Sequence, residues 1–285
     1  MTVSFCGLQL ANPIVNASGT FDLIAADGAF GQALRADFPF SAFVSKTITL
    51  QPRHGNPPPR LWESPAGLIN SIGLPNKGLD GYMAEDLPRL SALLGEIDVP
   101  LITNVMGADA AQIARLLSAC EQRSEIAAVE LNVSCPNVAT GLDIGADPQL
   151  LRAVLREVRP RLSKPLIVKL TPNTADVGAC AQAAQEGGAD AVSLINTLRA
   201  MALADGGTPW LGGGTGGLSG PAIRLVALAQ VAAVAKRVQI PIIGMGGVQT
   251  ARHAQDLLDV GATLVAVGSE SFRDPATGAR IAREL

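Results

Sequence analysis

The chain has 285 residues, with 22 Lys and Arg against 25 Asp and Glu, for a formal net charge of −3. Charges this evenly mixed offer no basic surface for nucleic acid and no polybasic membrane anchor. The length exceeds an ordinary domain but suits one barrel of alternating strands and helices, which runs to about 250 residues. Its four cysteines, Cys6, Cys120, Cys135 and Cys180, form no CxxC pair. No zinc site, iron-sulfur cluster or redox dithiol is therefore expected, and a reducing, cytoplasmic setting is. The N-terminus has no basic start followed by an apolar core, and no apolar run is long enough to span a bilayer. A soluble protein acting on small molecules is the expectation.

In chain order, Val3, Phe5, Leu8 and Leu10 flank Cys6-Gly7, the pattern of a small hairpin that plugs a core. Short apolar runs ending in small or polar residues then recur. They are Ile14–Ala17 before Ser18, Ala42–Ser45 before Lys46-Thr47, Leu101–Thr103 before Asn104, and Ile126–Val129 before Glu130 to Asn132. The same punctuation continues with Leu166–Val168 before Lys169, Ala191–Ile195 before Asn196-Thr197, Ile240–Ile243 before Gly244 to Gly247, and Leu264–Val267 before Gly268-Ser269. Between them lie segments of helical period. Ile113, Leu116, Leu117 and Cys120 fall on one stripe. Asp147-Pro148 supplies an N-cap and a first-turn proline; Thr174 and Asp176 open the next helix and Gly187-Gly188 close it. Ser219 and Thr250 are read as caps of later helices and Gly261 as a terminator. Eight strand-helix units predict an α/β fold, a closed (β/α)8 TIM barrel over residues 1–285 as one domain, with a small N-terminal β-hairpin and extended active-site loops.

In such a barrel the ligand site lies at the C-terminal ends of the strands. That address holds Lys46, Asn104, Asn132, Cys135, Lys169 and Asn196. Pro136 keeps Cys135 extended at the mouth of the fourth strand, and the surrounding Asn132, Ser134 and Asn137 make a hydrogen-bonding frame, not an apolar pocket. Cys120 and Cys180 sit on apolar helix stripes and read as core, as does Cys6 beside its turn. Gly246-Gly247 and Gly268-Ser269 follow the seventh and eighth strands, where bare amides commonly hold phosphate. Ser219-Gly220-Pro221 stands where a helix begins. The loop from 50 to 81 is too long for a plain connection, and its Asn70, Ser71, Ile72, Gly73 and Leu74 are expected to fold over the site and touch substrate.

Six ordered motifs carry a family resemblance. They are Asn70 to Asn76, Asn132-Val133-Ser134-Cys135-Pro136-Asn137, Val168 to Asn173, Ile195-Asn196-Thr197, Thr215 to Pro221, and Gly244-Met245-Gly246-Gly247-Val248. Together they resemble class 1 dihydroorotate dehydrogenase, over nearly the whole chain. The resemblance implies FMN, oxidation of dihydroorotate to orotate in pyrimidine biosynthesis, and Cys135 as catalytic base with Lys46 beside it. Carried over, Ser18, Lys46, Thr47, Asn104, Asn132, Lys169, Ile195, Gly220, Gly246, Gly247, Gly268 and Ser269 would touch FMN. Lys46, Asn70 to Leu74, Asn132, Asn196 and Thr197 would hold the substrate. The closest likeness is to the NAD-linked type (class 1B), which implies a partner subunit carrying FAD and a [2Fe-2S] cluster, and a homodimer of the barrel is expected. Fumarate is the alternative acceptor. The family's more usual Gly-Thr-Ala-Asn is replaced by Gly268-Ser269-Glu270-Ser271, which sets a carboxylate beside the expected phosphate site. Two other readings remain open: a flavin barrel acting on another pyrimidine, like a dihydropyrimidine dehydrogenase module, and a barrel that has lost catalysis.

Overall fold

A computed structural model describes residues 2–134 and 144–285. Eight strands, here β1 (Ile14–Asn16), β2 (Phe43–Val44), β3 (Leu101–Val105), β4 (Ile126–Asn132), β5 (Leu166–Lys169), β6 (Ala191–Leu194), β7 (Ile242–Met245) and β8 (Leu264–Val267), form one sheet. All seven ladders are parallel: six join consecutive strands, from β2 to β8, and the seventh pairs β8 with β1, Ala266 opposite Val15. The (β/α)8 barrel expected from the strand-helix repeats is the observed fold.

The eighth seam, between β1 and β2, is closed by a side chain. Asn16 is fully buried; its Nδ2 donates to the Val44 carbonyl and its Oδ1 accepts from the Val44 amide, both at 2.7 Å. One planar amide thus offers a donor and an acceptor in the spacing of a peptide group. Lower down, the Ser41 amide donates to the Ile14 carbonyl and the Ser41 hydroxyl lies between the Asn12 and Ile14 carbonyls. The strands here are only two and three residues long.

Two apolar layers follow from strand alternation, in which successive side chains point to opposite faces. One set, including Ile14, Phe43, Leu101, Val129, Leu131, Val168 and Val192, packs outward against the helices. The other, with Val15, Val44, Ile102, Ala128, Ile167, Ala191, Ile243 and Leu264, fills the barrel and is closed below by Phe5 and Leu10 of the N-terminal hairpin. That hairpin pairs Val3–Phe5 with Leu8–Leu10, and its turn residues Cys6 and Gly7 both take positive φ, as a type I′ turn requires.

The helices match their predicted stripes and caps with one exception. Ile113, Leu116, Leu117 and Cys120 are all buried in helix Ala110–Glu121. Asp147 caps Pro148–Val158, Asp176 caps Val177–Glu186 and Thr250 caps Ala251–Asp259. Ser219 is not a cap. It ends strand Gly216–Ser219, and helix Arg224–Ala235 starts from a 3-10 turn, Pro221–Ile223, with no side-chain cap. The reason is sheet pairing: Gly216–Ser219 is claimed by a four-stranded antiparallel sheet, in the order 198–200, 216–219, 67–70, 61–64. The long loop and the glycine loop therefore meet as one lid.

The seam makes a prediction. Asn16→Ala leaves the buried amide and carbonyl of Val44 without partners, at about 1–3 kcal/mol each. Urea unfolding should show a loss of about 2–6 kcal/mol; a change within about 0.5 kcal/mol, the ordinary scatter of neutral substitutions, would mean that the seam does not depend on this side chain.

Candidate active site

The strands run further than their apolar stretches suggest, and this puts polar side chains inside the barrel. Asn104 is the fourth residue of β3, Glu130 the fifth of β4, and Lys169 the last of β5. Asn104 Nδ2 donates to Glu130 Oε1 at 2.5 Å, and the Ser193 hydroxyl of β6 donates to Glu130 Oε2 at 2.7 Å. Since β5 stands between β4 and β6, the second bond must cross the barrel interior. All three residues are buried. The upper interior layer is thus polar on the β3 to β6 side, with Asn104, Glu130, Lys169 and Ser193, and apolar on the other, with Met245, Ala266, Ala17 and Val44.

Two atoms in this layer stand out by what they lack. Asn104 Oδ1 is buried and has no hydrogen-bond partner. Lys169 is 5 % exposed and makes no ion pair or side-chain hydrogen bond among the described residues. Lys164, five residues earlier, behaves oppositely: its ammonium is bound by the carbonyls of Cys120, Arg123 and Ile126, fastening a helix end at the far side of the barrel. One lysine of this strand region is spent on structure, and the other is left for a ligand.

The remaining predicted residues gather around the same mouth. Ser18 Oγ donates to the Ser45 carbonyl and lies 3.4 Å from Thr47 Oγ1. Lys46 is exposed beside Gly19. The Ile195 amide donates to the Met245 carbonyl, and Ile195 borders Gly246. Asn132 Oδ1 accepts from the Ser134 amide. Asn196 Oδ1 accepts from the Thr197 amide, and Thr197 packs so tightly on Gly217 that a Cβ there would meet its hydroxyl at 1.9 Å. Asn70 Nδ2 donates to the Gly217 carbonyl at 3.2 Å, so β6, the glycine loop and the 50–81 loop converge. In that last loop Asn56 holds Ser71, Arg53 takes the Gly73 carbonyl, and Asn76 holds the Leu74 carbonyl. Leu74 is kept at φ +56°, while the amides of Ile72, Gly73 and Leu74 have no acceptor among the described residues. Cys135 lies outside the described residues.

At the ends of β7 and β8 the backbone itself is the functional group. Gly246 and Gly247 have φ of +136° and +69°, and a Cβ on Gly247 would meet the Gly220 carbonyl at 2.8 Å. Only glycine allows that approach. The amides of Gly246, Gly247, Gly268 and Ser269 bond to nothing among the described residues, which suits an anion cradle. Ser269 Oγ donates to Ser219 Oγ at 2.6 Å across the two loops. Glu270, the carboxylate in this region, is engaged by Gln249 Nε2 at 2.6 Å.

The described cysteines take no part. Burial pushes the Cys120 thiol up to about 12, and burial with the nearby Asp190 charge pushes Cys6 up to about 11; Cys180 is buried in its helix. No group of three or more potential metal ligands exists among the described residues, and no helix there is long and apolar enough to cross a membrane. Glu130 is the residue that the pattern of strand ends missed. Its signal was a lone acid between Val129 and Leu131 in an otherwise apolar strand.

Fold and site together define a (β/α)8 barrel whose polar side chains and unpaired glycine amides, among the described residues, gather at the C-terminal ends of its strands. The sequence matches the dihydroorotate dehydrogenase family over residues 1–285, and the chain belongs to that family. It is 42% identical to the dihydroorotate dehydrogenase B (NAD(+)) catalytic subunit of Citrifermentans bemidjiense, covering 100% of this chain and 92% of that protein. It is 43% identical to the protein of the same name from Desulforudis audaxviator, over 99% of this chain and 90% of that one. The Bacillus pumilus protein of that name is 42% identical, with coverage of 100% and 90%.

Proposed function

We propose that this chain, acting as one domain, oxidises dihydroorotate to orotate in pyrimidine biosynthesis with FMN as its bound cofactor. The observation that carries the reading is full-length family membership at about 42% identity to catalytic subunits named for this activity. The site is consistent with FMN on three counts: a buried acceptor at Asn104 and a cation at Lys169, each without a partner among the described residues, and a glycine cradle that a Cβ would block. The amides of Gly246, Gly247, Gly268 and Ser269, with Gly220 behind them, would hold the phosphate; Ser18, Thr47, Asn104, Asn132, Lys169 and Ile195 would line the ring.

The substrate must lose a proton from C5 and a hydride from C6, and FMN, when bound, takes the hydride. The chain supplies the rest. Cys135 Sγ takes the C5 proton. A free thiol ionises at about 8.5, so the ammonium groups of Lys46 and Lys169 serve to enlarge the thiolate fraction and to balance the carboxylate of the substrate. Asn70, Asn132, Asn196 and Thr197 offer donors and acceptors to the pyrimidine's own amide edges, and the free amides of Ile72 to Leu74 close over it from the lid.

The relatives named as NAD(+)-type catalytic subunits favour the same acceptor here, reached through a partner. A subunit with FAD and a [2Fe-2S] cluster fits, because Cys120 and Cys180 are committed to the core and Cys6 to the plug. Exposed Met201 and Trp210, at the lid, are the residues we assign to its docking.

Cys135→Ser should slow reduction of bound flavin by dihydroorotate at neutral pH by at least about a hundredfold, with FMN retained and the rate recovering as pH rises. Stopped-flow absorbance reads this directly, and near-normal reduction would remove Cys135 from the chemistry. The purified chain alone, once reduced, should pass electrons to NAD slowly. Rapid NAD reduction without a second subunit would contradict the partner, and rapid fumarate reduction would move the acceptor.

A further inference from the structure

A buried carboxylate is an odd choice for a barrel interior. The layer beneath it is filled by Ile102, Ala128, Ile167 and Ala191, and an apolar residue at 130 would fill the next layer without the cost of desolvating a charge. Glu130 is nonetheless 1 % exposed, and both its oxygens are used. An ionised carboxylate only accepts. Asn104 must therefore turn its NH2 toward Glu130, and its carbonyl Oδ1 is forced the other way. Among the described residues, that oxygen is the one side-chain atom of the layer that is buried and unpartnered. On the neighbouring strand Lys169 carries a positive charge with no ion pair among the described residues; its register partner on β6 is Ser193, the other residue bound to Glu130.

We propose that Glu130 is a positioning residue for the flavin, holding Asn104 so that its acceptor, and not its donor, meets an N–H of the ring, and setting a fixed negative charge beneath it. The role rests on the FMN reading above. Two consequences separate it from mere packing. Reversing Asn104 would face a donor with a donor and weaken the oxidised cofactor's hold. Removing the charge would leave Lys169 without an opposing field, which favours the more electron-rich, reduced ring.

Glu130→Gln and Glu130→Met separate the two. The amide matches the carboxylate in size and, with Oε1 accepting from Asn104 Nδ2 and Nε2 donating to the Ser193 hydroxyl oxygen, keeps Asn104 as it is and removes only the charge. Glu130→Met keeps the length but removes the charge and both bonds, which frees Asn104 to turn. FMN titration of the Glu130→Met apoprotein, followed by fluorescence quenching, should show a dissociation constant at least about tenfold above wild type. Spectroelectrochemistry should give both variants a midpoint potential more positive than wild type. Unchanged affinity in folded Glu130→Met would overturn the hold on Asn104, and an unchanged potential in either folded variant would overturn the role of the charge, whatever happens to thermal stability. A wild-type chain that fails to bind FMN would instead overturn the cofactor reading, so wild type is titrated in parallel.

Discussion

The architecture depends on one side chain standing in for backbone. Seven seams of the barrel are ordinary parallel ladders, but the eighth is held at its upper end by the Asn16 amide clasping both the N–H and the C=O of Val44. If that seam opened, the strand ends bearing Ser18 and Lys46-Thr47 would no longer face those bearing Asn104, Lys169 and Gly246. A closed ring is what brings residues more than 200 positions apart in sequence, such as Ser219 and Ser269 with Ser18, to a single mouth. The hairpin plug serves the same end from below. With Phe5 and Leu10 filling the floor, the lower interior is dry and the upper interior is free to be polar.

That polarity is confined to one side. From β3 to β6 the upper layer carries Asn104, Glu130, Lys169 and Ser193; from β7 round to β2 it carries methyl and thioether groups and, above them, bare glycine backbone. A flat heteroaromatic ring with a hydrogen-bonding edge and a phosphate tail needs both environments. In the function proposed above, the side-chain half would meet the ring edge and the amides of the glycine half would meet the phosphate. The lid sheet adds a third surface, because Gly217 leaves room for Thr197 to pack against it while its carbonyl accepts from Asn70 Nδ2.

Much of this was legible in the sequence because it rests on short-range rules. Strand-helix alternation, the stripe through Ile113 and Cys120, and the caps at Asp147, Asp176 and Thr250 are local and periodic. The glycine pairs at 246–247 and the strand-end lysines were visible as polar interruptions at a shared address. What was not legible depends on partners distant in the chain. Ser219 has the chemistry of a cap, but sheet pairing with Leu68 placed it in a strand. Glu130 passed as the edge of a loop because nothing local reveals that Ser193, two strands away, completes its bonding. Asn16 likewise looks like strand-end punctuation until Val44 is set against it.

On the function proposed above, the mouth of this barrel holds a flavin that dihydroorotate reduces. The most direct measurement is the visible spectrum of the purified chain before and after anaerobic addition of dihydroorotate. The purified chain should be yellow, with a flavin spectrum that bleaches on addition of dihydroorotate. A flavin-loaded chain that stays yellow with dihydroorotate, or bleaches only with a different dihydropyrimidine, would contradict it.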